Sequence, residues 1–141
     1  MLDLIIKNGQ CYIDGELKNL DVSVKDGKID GIGKISEKTK ENIEAQGLII
    51  LPGCIDTQTH FREPGSTNTE DLNSGSRAAI VGGITAVFEM PNTNPPTSSK
   101  KEFQRKLDLA KNRMYCNYAF YFGATADNSN ELADLKNLNG C

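Results

Sequence analysis

The sequence holds one histidine, His60, and no tryptophan among its 141 residues. A catalytic zinc site normally uses three protein ligands and an open position, so a self-sufficient histidine-rich metal centre is not expected from these residues. Cysteine is sparse and scattered: Cys11, Cys54, Cys116 and Cys141 form no Cys-x-x-Cys pair and have no histidine beside them. That spacing argues against a zinc ribbon or a disulfide framework and predicts buried free thiols. An excess of positive charge is also missing, since 16 Lys and Arg face 19 Asp and Glu for a net charge of -3. A nucleic acid or an anionic membrane surface calls for a basic patch, so neither is expected as a partner. Nor is there a long apolar run. The longest, residues 47–55, is broken by Pro52 and Gly53, far short of the roughly 20 residues of a spanning helix. Asp3 precedes the first apolar residues, without a basic start or a cleavage site, so no secretory signal is read and the cytoplasm is the expected location.

What is present divides at about residue 48. Residues 1–48 read as a small β-sandwich-like domain: Leu4-Ile5-Ile6, Val22-Ser23-Val24 and Lys28 to Ile32 are short β-like runs. Asp26-Gly27 is a two-residue hairpin signal that pairs the last two antiparallel, and Asn8-Gly9 and Asp14-Gly15 read as further turns. Residues 36–44 read as a charged spacer. Gly31-Ile32-Gly33 lacks the third glycine of a dinucleotide-binding turn.

Residues 49–141 alternate strand and helix. Residues 48–57 suit a strand covered on both faces, and residues 84–90 and 116–123 read as second and third strands. Thr67 with Glu70, and Ser99 with Glu102, are capping patterns that predict two helices, the first ending at Gly82-Gly83. Phe103, Leu107, Ala110 and Met114 fall at helical spacing, and Leu132, Leu135 and Leu138 mark a third helix. Three successive units of this kind predict an α/β fold with a parallel sheet, either doubly wound or a partial (β/α)8 barrel.

In a parallel α/β barrel the chemistry sits at the carboxyl ends of the strands, where polar residues cluster here. Alternation puts Asp56, Gln58 and His60 on one side of the first strand, with Arg62 just beyond and Asn92 after the second strand. Each has a plain structural alternative: His60 as a structural imidazole, Arg62 as an ion-pair partner for Glu63 or Glu70, and Asn92 as a turn residue.

The run Leu51-Pro52-Gly53-Cys54-Ile55-Asp56, His60 four residues on, and Phe61-Arg62-Glu63-Pro64-Gly65 resemble the first-strand signature of the amidohydrolase superfamily in its dihydroorotase version. Gly82-Gly83-Ile84-Thr85 leading to Met90-Pro91-Asn92-Thr93 is similar to the same family. The resemblance implies a small β-domain followed by the first three units of a TIM-type (β/α)8 barrel. It further implies a zinc-dependent hydrolase, with one or two ions, that interconverts dihydroorotate and carbamoyl-aspartate in pyrimidine synthesis. On that basis His60 is the metal ligand, with Gln58 at the other metal position, and Arg62 and Asn92 grip the substrate carboxylate. Gln58 stands where the family has histidine, and a carboxamide oxygen is a weak zinc ligand, so one metal is expected to be loose or absent. The bridging lysine, further histidines and general base belong to later strands. Residues 1–141 alone are therefore expected to be inactive, and to self-associate or recruit a partner over an open sheet edge. Two alternatives remain: a hydantoinase or allantoinase, and a non-catalytic structural or regulatory subunit.

Overall fold

The computed structural model describes residues 1–138, in two compact units, Met1–Pro52 and Gly53–Cys141. The first unit contains β1 (Leu2–Ile13), β2 (Glu16–Lys25), β3 (Lys28–Gly33), β4 (Thr39–Glu44) and β5 (Ile49–Ile50). They form one mixed sheet in the order β3-β2-β1-β4, with β5 also on β1. The sandwich expected for this region is therefore a single sheet among the described residues, because no second sheet faces it there. Asp14-Gly15 and Asp26-Gly27 do turn the chain, each with positive φ at both residues (54° and 83°; 50° and 72°), as a tight hairpin requires.

Two readings of this unit are corrected. Asn8-Gly9 is not a turn but an irregularity inside β1, where the register with β2 shifts. Asn8 takes φ 59° and is tied down by its amide, which donates to both Glu44 carboxylate oxygens at 3.0 and 2.9 Å. A Cβ on Gly9 would lie 2.4 Å from Ile50 Cδ1, so glycine is what lets the strands close there. The charged spacer contains β4, which pairs parallel with β1. Its side chains are almost all exposed, so it carries no apolar alternation by which it could be recognised.

The second unit runs β6 (Cys54–Thr59), α1 (Leu72–Val81), β7 (Ile84–Glu89), α2 (Lys100–Ala110), β8 (Asn117–Phe120) and α3 (Ser129–Leu132). Its three strands are all parallel, in the order β6-β7-β8, the α/β arrangement expected. The single strand expected over residues 48–57 is instead two: β5 joins the first sheet, and β6 begins after Pro52, which has no N–H for a ladder. Nor is β6 covered on both faces. It is an edge strand with Ile55 60% exposed.

The cap expected at Thr67 lies in a turn. α1 starts at Leu72 because Asp71 accepts the Ser74 N–H at 2.7 Å while Ser74 Oγ accepts the Asp71 N–H at 3.1 Å, a reciprocal capping box. The helix does stop at Gly82, and Ser99 does cap α2 through the Glu102 N–H. β8 is shorter than expected. The third helix expected around Leu132, Leu135 and Leu138 is one turn of α3 followed by a 3-10 turn at Leu135–Asn137, and a leucine every third residue is the 3-10 period. Cys11 and Cys116 are buried free thiols, Cys54 is exposed because it opens the edge strand, and Cys141 lies outside the described residues.

Phe61, Leu72, Val87, Phe103, Ala110, Cys116 and Phe120 form the core of this unit. Phe103 meets Phe120 edge-on with ring centroids 6.5 Å apart, the arrangement the ring quadrupoles favour. Among the described residues no helix is long and apolar enough to cross a membrane.

Candidate functional site

The three parallel strands end level, which sets their following loops side by side. Thr59 aligns with Glu89, and Glu89 with Phe120. The Met90 N–H donates to the Thr59 carbonyl and the Tyr121 N–H to the Glu89 carbonyl, both at 2.9 Å. Asn94 N–H to the Pro64 carbonyl at 3.0 Å joins the second loop to the first, Thr97 N–H to Pro91 at 2.9 Å closes the second on itself, and Gly123 N–H to Thr97 at 2.8 Å joins the third to the second. Buried Asn128 locks the third loop by donating to the Ser98 and Gly123 carbonyls, both at 2.8 Å. Gly65 has φ 125°, and a Cβ there would sit 3.1–3.3 Å from Asn94. A side chain would push the first two loops apart.

His60 is the first residue beyond β6, and Asn92 follows β7 in the next loop. Asn92 Oδ1 lies 3.0 Å from His60 Nδ1. An amide oxygen only accepts, so this contact favours a ring protonated at Nδ1, and in the neutral imidazole that form leaves the Nε2 lone pair and the Asn92 NH2 free. Arg62 is exposed and lines a recess of about 120 Å³ with Ser66, Asn92 and Asn94. It makes no ion pair among the described residues: Glu63, its sequence neighbour, turns inward to Arg113. The fold thus brings His60, Arg62 and Asn92 together. Gln58 is exposed on β6 and takes no part in the recess. Its N–H donates to Asp56 Oδ1 at 2.9 Å.

Two ion pairs that support these loops escape sequence reasoning. Arg113, just past α2, donates from both terminal nitrogens to the Glu63 carboxylate at 2.8 and 2.9 Å, and the Leu72 N–H adds a third bond at 3.0 Å. Burial by itself would raise the Glu63 carboxyl, but these donors outweigh it and hold it below its ordinary value. Glu63 is therefore structural, joining the first loop to the start of α1 and the end of α2.

The second pair is Glu89 with Lys106, both fully buried, and Lys106 Nζ also donates to the Met90 carbonyl at 3.3 Å. A signal did exist, since Lys106 falls on the apolar stripe between Phe103 and Ala110. Burial pushes the Glu89 carboxyl up to about 7 against the opposing pull of Lys106 and Arg62. Because the folded value lies above the ordinary 4.5, the folded state keeps a proton that the unfolded chain has lost. This contribution is full below pH 4.5 and disappears as pH rises through about 7. Glu89→Gln is expected to flatten the fall in melting temperature across that window, and an unchanged slope in the variant would refute the assignment.

Comparison with known proteins agrees with this layout. Residues 49–138 match the amidohydrolase family. The chain belongs to that family. Allantoinases of Salmonella choleraesuis (strain SC-B67) and Escherichia coli O1:K1 are each 40% identical over 134 residues, 94% of this chain and 30% of the relative. An L-hydantoinase (dihydropyrimidinase) from Arthrobacter aurescens superposes with a TM-score of 0.88 at 31% identity, over 97% of this chain and 31% of that one. The chain thus spans about 30% of the length of the curated relatives it matches. The amidohydrolase assignment agrees with the resemblance seen in the sequence, while these relatives bear the names allantoinase and hydantoinase rather than dihydroorotase.

Amidohydrolases are generally metal-dependent, so the donor set here can be tested against a metal ion. His60 offers Nε2. Asp56 already accepts a backbone N–H, and Gln58 offers only a neutral amide oxygen. Among the described residues no three His, Cys, Asp or Glu side chains converge. By themselves these residues do not fit a metal centre.

Proposed function

We propose that the protein to which this chain contributes opens a cyclic amide or ureide ring by hydrolysis, as relatives named allantoinase and hydantoinase suggest. The observation that carries this reading is the meeting of His60 and Asn92 at the ends of adjacent parallel strands, within the residues matched to the amidohydrolase family. His60 is the residue here suited to a metal, through Nε2, with the other donors coming from outside the described residues. In this reading Asn92 NH2 and Arg62 bind the polar edge of the ring.

A second reading, dihydroorotase, is favoured by one observation: Arg62 is a cation without an ion pair among the described residues, in a recess it shares with Asn92. A guanidinium fork matches a carboxylate with two parallel bonds, and dihydroorotate carries one whereas allantoin and hydantoin do not. The test is hydrolysis of hydantoin, allantoin and dihydroorotate by the protein at its native length, with and without Arg62→Met. If the ring carries a carboxylate held by Arg62, the variant loses about 30-fold or more in kcat/KM on dihydroorotate, from a truncated charge pair worth at least about 2 kcal/mol. If the substrate is an uncharged ureide, the variant changes little. Failure to open any of the three rings with divalent metal supplied would sink both readings.

A further inference from the structure

The Glu89–Lys106 pair is buried between α2 and β7, and its contact with the backbone, at the Met90 carbonyl, lies at the strand end that leads into the site. Lys106 is fully buried on α2 and reaches two groups at the end of β7: one oxygen of the Glu89 carboxylate and the Met90 carbonyl, 3.3 Å away. It also faces the Phe120 ring, with Nζ 5.3 Å from the centroid. The other Glu89 oxygen, Oε1, is buried without a hydrogen-bond partner among the described residues. Lys106 alone therefore fixes this carboxylate. Only Pro91, whose φ is set by its ring, separates the clamped Met90 from Asn92, and Asn92 is the residue that meets His60.

We infer that Lys106 is a positioning residue for the candidate site: by clamping Glu89 and the Met90 carbonyl from behind the sheet, it aims Asn92 Oδ1 at His60 Nδ1 and so fixes the tautomer that leaves Nε2 free. The physical case is one of alternatives. A buried lysine is costly unless paired and bonded, and an apolar residue at position 106 would suit the stripe of α2 at least as well for stability alone. What an apolar residue cannot do is hold a carbonyl and a carboxylate at one strand end. An outer-layer bond that fixes an imidazole tautomer acts just as the hydrogen-bond partners of metal-binding histidines do.

This inference rests on His60 and Asn92 being the working residues, but it is read without turnover, so its failure and that of the hydrolase reading are separable. His60 is the single histidine of the 141 residues, so its ring ¹⁵N resonances in this chain need no assignment. At a pH where the ring is neutral, the unmodified chain should show a protonated Nδ1 and a lone pair on Nε2. Asn92→Ala should reverse this to the Nε2–H form that free histidine favours.

Lys106→Met should produce the same reversal. Glu89→Gln leaves Lys106 an oxygen to bond and its link to Met90, and should keep the Nδ1–H form. A merely structural role predicts that Lys106→Met lowers the melting temperature yet leaves Nδ1 protonated, and that result overturns the proposal. Should the single variant fail to fold, Glu89→Gln/Lys106→Met, which buries no charge, carries the same test with the same two outcomes. Independently, the Lys106 ammonium of the unmodified chain should exchange slowly enough to be observed by ¹⁵N. Rapid exchange with solvent overturns the proposal whatever the variants do.

Discussion

Phe103→Ala is expected to cost the second unit about 3–5 kcal/mol, the range for removing a fully buried phenylalanine ring. Phe103 is 1% exposed on α2 and its ring meets both Phe120 and Phe122, with centroids 6.5 and 6.3 Å away. Its removal leaves a cavity between helix and sheet that backbone elements on both sides keep from collapsing. For a unit of this size the loss corresponds to a fall of more than about 10 °C in melting temperature. Thermal denaturation followed by circular dichroism measures it. A drop of a degree or two would mean that α2 does not pack where the structure places it.

Glu63→Ala should rival that effect, at about 3 kcal/mol, for a different reason. The truncation strands the Leu72 N–H and takes two bonds from Arg113, which donate to Glu63 at 2.8–3.0 Å, leaving the guanidinium the Leu109 carbonyl and the more distant Asp71. A buried donor left unpaired costs more than the bond it made. Glu63→Gln, which keeps an acceptor for Leu72 while discarding the charge, should lie between wild type and alanine. Combining Glu63→Ala with Arg113→Ala should show a coupling energy above about 1 kcal/mol. Additive losses would mean that the bidentate contact is not formed in solution.

The parts of this fold legible in sequence were those written in local chemistry. Asp14-Gly15 and Asp26-Gly27 announce hairpins because a turn with two positive φ values admits few other residues. Ser99 with Glu102 announces α2 because the hydroxyl accepts an N–H three residues on. Thr67 with Glu70 carries the same lettering and caps nothing, since Asp71 with Ser74 makes both bonds of the box instead. Local signals compete, and geometry outside the window picks the winner. Strand β4 shows the opposite failure, being held by backbone bonds to β1 while its exposed side chains give no pattern.

For the candidate site, the chain itself determined which chemistry is on offer: the His60 imidazole, the Arg62 guanidinium and the Gln58 and Asn92 carboxamides, set at or just after two apolar runs. Side-chain type and spacing are local properties, so they need no fold to be read. Tertiary structure alone decided that His60 and Asn92 touch, that Glu63 turns away from Arg62 to Arg113, and that Lys106 lies behind the sheet against Glu89. Those contacts join residues 17 to 50 positions apart. They depend on strands ending level and helices crossing between them, and no periodicity within a single element encodes where a distant partner will arrive.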